Sequence, residues 1–203
     1  YDSQNAYANE SFVDELAQTL NVDPVKYRLK LLKRSPRHTE VLQLAAEEAG
    51  WGKAIEKDHY QGVSCHASFG TYVAEVAEVS VDGEGVVHVH RVVCAVDCGQ
   101  AVSPTTIKAQ MEGSIVYGLS ATLNGEITIE DGTVKQTNFH EFEVLRMDQM
   151  PKIDVHIINS SEAPSGVGEP GLPPIAPAVA NAVFAATGIR VRKLPLKPED
   201  LRS

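Results

Sequence analysis

Between Tyr72 and Val96 two apolar runs flank an acidic glycine turn, and this pairing limits the possible folds more than any other feature of the chain. Tyr72-Val73-Ala74-Glu75-Val76-Ala77-Glu78-Val79 alternates with period two, as a strand does. Asp82-Gly83-Glu84-Gly85 supplies the turn, and Val86 to Val96 returns as the partner strand. The β-rich character extends from Gly62 to about Cys98. A chain built around such a hairpin must cover it, and the flanking segments are helical in pattern.

Residues 9 to 50 read as helices. Phe12, Val13, Leu16 and Leu20 fall on one stripe of the first. Asp23-Pro24 places a cap before a proline at the first helical position, and Val25, Leu29 and Leu32 follow at helical spacing. A third helix runs from Pro36 to Ala49 through Val41, Leu44 and Ala45, ending at Gly50-Trp51-Gly52. Beyond the hairpin, Ser103-Pro104 starts a helix reaching Leu123, about five turns long. Asn124-Gly125 and Asp131-Gly132 mark turns between short strands, and Lys152 to Ile158 alternates as a further strand. A Gly/Pro-rich loop, Ala163 to Pro174, leads into an alanine-rich helix ending at Gly188. The expected class is α+β: a helical lobe over 1–60, then an α+β portion over 61–203 with mixed strands and two long helices.

Bulk properties narrow the function. Of 203 residues, 18 are basic and 27 acidic, a net charge of −9. Nucleic-acid binding needs a basic face to track phosphates, and anionic membranes attract basic segments, so both partners are disfavoured. No apolar run reaches membrane-spanning length, the longest being broken by Pro177 and Asn181. The terminus at Tyr1 carries no signal-like segment, and the compartment stays open. Cys65, Cys94 and Cys98 form no disulfide framework and read as small buried hydrophobes. Cys94 and Cys98 sit four apart on one strand pattern, facing the same way. His88 and His90 share a strand face, while His59, His66, His140 and His156 are scattered, without the spacing of a structural zinc site. No residue is expected to ligate a metal ion. Nor does the chain contain a phosphate-cradling loop, a dinucleotide fingerprint or a nucleophile elbow.

Two features can carry chemistry. In Ser165-Gly166-Val167-Gly168-Glu169-Pro170-Gly171-Leu172-Pro173-Pro174 a single glutamate stands between glycines, with prolines stiffening the exit. Held just before a helix N-terminus among few polar neighbours, Glu169 suits a general base; a solvated loop glutamate is the plainer alternative. The helix 104–123 has two faces. Ile107, Met111, Ile115, Leu119 and Thr122 form a core stripe, and Gln110, Gly113, Ser114, Tyr117 and Ala121 form another. Small residues on the second let another surface approach, either a pterin or nucleotide or a neighbouring helix, and Gln110 offers that surface both donor and acceptor.

The run from Gly166 to Ala182, Gly-Val-Gly-Glu-Pro-Gly-Leu-Pro-Pro-Ile-Ala-Pro-Ala-Val-Ala-Asn-Ala, resembles the C-terminal signature of the molybdenum subunit of the xanthine oxidase family. The similarity is to the branch of the isoquinoline 1-oxidoreductase β-subunit and related bacterial aldehyde dehydrogenases. Val96 to Pro104 with Gln110 to Ser114 and Tyr117 to Leu119, Asn5-Ala6 with Glu10 to Ala17, and Ser68 to Ala74 resemble the same family in the same order. The resemblance implies a fold, the C-terminal portion of the molybdopterin-binding domain of aldehyde oxidase and xanthine dehydrogenase type. It implies an activity, oxidation of an aldehyde or hydroxylation of an N-heterocycle with water-derived oxygen, with Glu169 as general base at the molybdenum centre. It further implies that Gln110 contacts molybdenum-bearing molybdopterin cytosine dinucleotide, and that the backbone of Gly166, Val167 and Gly168 lies beside the metal centre.

Family molybdenum subunits are several times longer than this chain. The resemblance therefore implies that both portions, 1–60 and 61–203, belong to one larger domain, and that the chain acts only with the rest of that subunit. An iron–sulfur subunit with 2Fe-2S clusters is implied too, since the three cysteines lack cluster-ligand spacing. A scaffold that keeps the fold without the chemistry, and a metal-binding domain using His88, His90 and the cysteines, are the two alternatives.

Overall fold

The computed structural model describes residues 1–202. Three helices come first: α1 (Asp2–Thr19), α2 (Pro24–Leu31) and α3 (Pro36–Glu48). Strands β1 (Tyr60–Ser68), β2 (Thr71–Val81) and β3 (Val87–Asp97) follow, then the long helix α4 (Pro104–Leu123). An excursion over 124–151 carries the two-residue strands β4 (Ile129–Glu130) and β5 (Thr133–Val134). Strand β6 (Lys152–Ile157), helix α5 (Ile175–Thr187) and the short α6 (Pro198–Leu201) complete the chain.

The sheet order is β1-β2-β3-β6, with the first three antiparallel and β6 parallel to β3. The hairpin expected from period two is present, with Tyr72 opposite Asp97 and Glu75 opposite Cys94. The register slips once, where Val79 meets Val89 and His90 is the extra residue. Val73, Ala77, Val92, Cys94 and Val96 pack with α4 and α5 on one face, while Ala74, Val76, Val93 and Ala95 meet Val41, Leu42 and Ala45 of α3 on the other. Two covered faces explain why β2 and the end of β3 read as nearly continuous apolar runs. Gly118 permits the crossing of α4 over α5, since a Cβ there would strike Ile175.

The N-terminal helices depart from their sequence pattern. Helix α1 begins at Asp2, and the face it buries is Ala6, Glu10, Asp14 and Ala17, leaving Phe12 56% and Leu20 58% exposed. The reason is ionic. Arg28 of α2, 1% exposed, donates to the Glu10 carboxylate at 2.7 Å and to the Glu10 carbonyl at 2.8 Å. Asp14 lies 3.6 Å from Arg28 and accepts from Arg190, which also donates to Asn181 of α5 at 3.0 Å. Desolvated charges of opposite sign keep one another paired, and the network draws the charged stripe inward. The Asp23-Pro24 start is as read, with the Asp23 side chain accepting from the Lys26 amide and the Trp51 indole.

Glu75 is fully buried beneath α5, and neither of its carboxylate oxygens has a hydrogen-bond partner among the described residues. Burial pushes its carboxyl well above the ordinary range, and the Cys94 thiol opposite offsets this only in part. Because the folded state keeps a proton that the unfolded chain releases, stability is fully present below the ordinary carboxylate value and declines as pH rises above it. Glu75→Gln is therefore expected to stabilise the chain at pH 8, the gain shrinking below about pH 4. Urea midpoints at the two pH values check this; an equal difference at both would remove Glu75 as its source.

Candidate active site

The loop over 163–174 runs across the end of the sheet and along α4, held at several points. Its entry is tied to the turn after β3: the Gln100 amide donates to Glu162 O at 2.8 Å, and the Ser165 amide to Cys98 O at 2.9 Å. Gly99, at φ +73°, permits this approach, because a Cβ there would strike the Ala163 carbonyl. That turn is in turn braced by Asp97, which accepts from the Gly99 amide and from two nitrogens of Arg37 on α3. The Arg37 hydrogen bond holds the Asp97 carboxyl below its usual range. At the exit, the Leu172 amide donates to Glu169 O at 2.9 Å, closing a turn around Pro170 and Gly171, and Gly171 packs on Met111 and Ser114 of α4.

Glu169 stands exposed on the rim of an open cleft of about 480 Å³, between this loop and the outward stripe of α4. Gln110, Gly113, Ser114, Tyr117, Gly168 and Leu172 line the rest of it. The sequence motif placed Glu169 beside a helix N-terminus. Helix α5 begins only at Ile175, with the turns of 170–174 between, so a dipole argument that acts within the first helical turn does not apply.

Of the residues singled out from sequence, Gln110, Gly168 and Glu169 line this one cleft. Gly166 instead meets the β1–β2 turn, where its amide donates to Phe69 O. Val167 lines a smaller hollow of about 160 Å³ with Cys98, Gln100 and Ile107. The core stripe of α4 is buried as expected. Its outward stripe meets the glutamate-bearing loop on one side, where the Ser114 hydroxyl is 3.4 Å from Gly168 O, and is open on the other. The cleft suits a flat polar ring system: Gly113 and Gly168 present no side chain, and the Gln110 amide has no hydrogen-bond partner among the described residues.

The histidines pair off locally. His88 meets Asp82 at 3.1 Å, His90 meets the Ser80 hydroxyl at 2.7 Å, and His59 stacks on His90 while bonding Glu78. Among the described residues no group of three or more His, Cys, Asp and Glu side chains is placed to hold a metal ion. Cys65, Cys94 and Cys98 are free and buried, and Cys98 lies just past the end of β3 rather than on the strand. No helix among the described residues is long and apolar enough to cross a membrane.

Comparison with known proteins bears on this geometry. The family model described as the molybdopterin cofactor-binding domain matches residues 8–151. The β-subunit of the isoquinoline 1-oxidoreductase of Brevundimonas diminuta is 40% identical over 201 residues, covering 97% of this chain and 26% of that protein. A nicotinate dehydrogenase subunit of Pseudomonas putida is 36% identical over 218 residues, covering 98% of this chain and 18% of that one. The aldehyde oxidoreductase of Desulfovibrio gigas superposes with a TM-score of 0.75 over 99% of this chain and 40% of its own, at 16% identity, a likeness of fold alone. The chain thus spans about a quarter or less of the two relatives matched by sequence.

Proposed function

The chain belongs to the molybdopterin cofactor-binding domain family, in the molybdenum-binding subunits of xanthine oxidase type, and on that premise we propose that it supplies the base-bearing wall of a molybdenum hydroxylase site. The observation that carries the reading is the placement of Glu169 and Gln110 on one cleft. Bound there, the molybdenum cofactor supplies the two-electron redox chemistry. The Gln110 amide would hold the pterin edge, with Gly113 and Gly168 leaving room for the ring system; the backbone of Gly166 and Val167, just outside this cleft, would approach the metal centre from the same loop. One carboxylate oxygen of Glu169 accepts the proton released as water-derived oxygen is added to the substrate carbon. The cofactor form is the cytosine dinucleotide, and the substrate an aldehyde or an N-heterocycle.

The remainder of the molybdenum subunit closes the cleft and completes the domain to which residues 1–60 and 61–203 both contribute. Electrons leave to a partner subunit that carries 2Fe-2S clusters.

The experiment is metal analysis of the complex that purifies with this chain from its native source, with Gln110→Ala beside it. Molybdenum and iron–sulfur iron are expected in the complex. Gln110→Ala is expected to weaken cofactor retention about tenfold, the loss of one hydrogen bond at a buried edge. A complex without molybdenum would leave only a scaffold that has kept the fold.

A further inference from the structure

We propose that Thr71 is a positioning residue for Glu169, its buried hydroxyl clasping the loop that carries the base; this rests on the reading of Glu169 above. Thr71 opens β2, is 0% exposed, and has no role in the cleft itself. Its Oγ1 donates to Gly166 O at 2.7 Å and lies 2.7 Å from the Ser165 hydroxyl, which in turn donates to Cys98 O at 3.0 Å. The Gly166 amide reaches back to Phe69 O at 3.2 Å, so the turn between β1 and β2 grips the loop by both backbone and side chain.

The turn is a two-residue hairpin loop, with Phe69 at φ +54° and Gly70 at φ +79°, both in the left-handed region that such a turn requires. Arg37 braces the same corner, donating to Asp97 and stacking 4.4 Å over the Tyr72 ring. Between the clasp and Glu169 stand only Val167 and Gly168, and two glycines flanking Val167 provide no stiffness of their own. The clasp therefore sets where the carboxylate begins its reach, while the turn closed by Leu172 sets where it ends. A base displaced by about 1 Å loses on the order of 10²-fold in rate.

The test compares Thr71→Val, which keeps the branched shape and removes the hydroxyl, with Thr71→Ser, which keeps the hydroxyl, and with Ser165→Ala, all in the assembled molybdenum enzyme. Thr71→Val is expected to lower kcat about 10²-fold with KM within about threefold and molybdenum content unchanged. Thr71→Ser is expected to restore most of that loss. Hydrogen exchange over residues 163–170 is expected to quicken in Thr71→Val and Ser165→Ala. In a Glu169→Gln background, Thr71→Val is expected to add no further loss. Full activity in Thr71→Val beside an inactive Glu169→Gln would overturn the clasp and leave the base standing. Normal turnover in Glu169→Gln itself would remove the base, and the clasp with it. A fall in molybdenum content matching the fall in rate, without rescue by serine, would show a merely structural residue.

Discussion

Glu169→Gln in the assembled enzyme is expected to lower turnover by about 10²–10⁴-fold while molybdenum content stays at the wild-type level. The amide has the shape of the carboxylate but cannot take a proton, so the substitution tests the proposed base and little else. Folding is insulated from the change because Glu169 is exposed and its side chain makes no hydrogen bond among the described residues; it is the Glu169 carbonyl that closes the turn to Leu172. The loop is held instead at Gly166 and Gly171, by contacts that the substitution leaves untouched. Loss of rate with KM nearly unchanged would indicate an interaction made in the transition state rather than in binding. Retained turnover at normal molybdenum loading would take Glu169 out of the mechanism.

The largest effect on stability is expected at Arg28. Arg28→Ala leaves Glu10 and Asp14 buried with one cation between them where there were two, and Glu10 loses its only arginine. Breaking a buried pair from one side typically destabilises by about 3–5 kcal/mol, because the remaining charge stays desolvated. For a chain of this size that corresponds to a fall of roughly 10 °C in the thermal midpoint. The Glu10 carboxylate also accepts from the Cys65 amide of β1, so the loss should spread from the helices to the sheet edge. A fall under about 2 °C would mean that water reaches the network and screens it.

What could be read from the sequence was what is local. The hairpin over 72–97 was legible because two apolar, valine-rich runs flank a glycine turn; the alternation expected of β2 did not hold, since both its faces are covered and Glu75 is buried with the valines. Helix starts at Asp23-Pro24 and Ser103-Pro104 were legible because a proline fits the first helical position; Asp23 also caps the Lys26 amide, whereas the Ser103 hydroxyl turns to Thr106 instead. Glu169 and Gln110 were singled out through a motif, each on its own segment. The inward face of α1 was not legible. Glu10 and Asp14 look like a solvated stripe until Arg28 and Arg190 arrive from other elements, and burial by ion pairing leaves no apolar periodicity to detect. Thr71 was invisible for the same reason, since its partners Ser165 and Gly166 lie more than ninety positions along the chain. Tertiary structure alone decided which side chains share a cleft and which hydroxyl holds the loop, because hydrogen bonds and charge pairs between distant segments gain their energy only after folding has excluded water and brought them together.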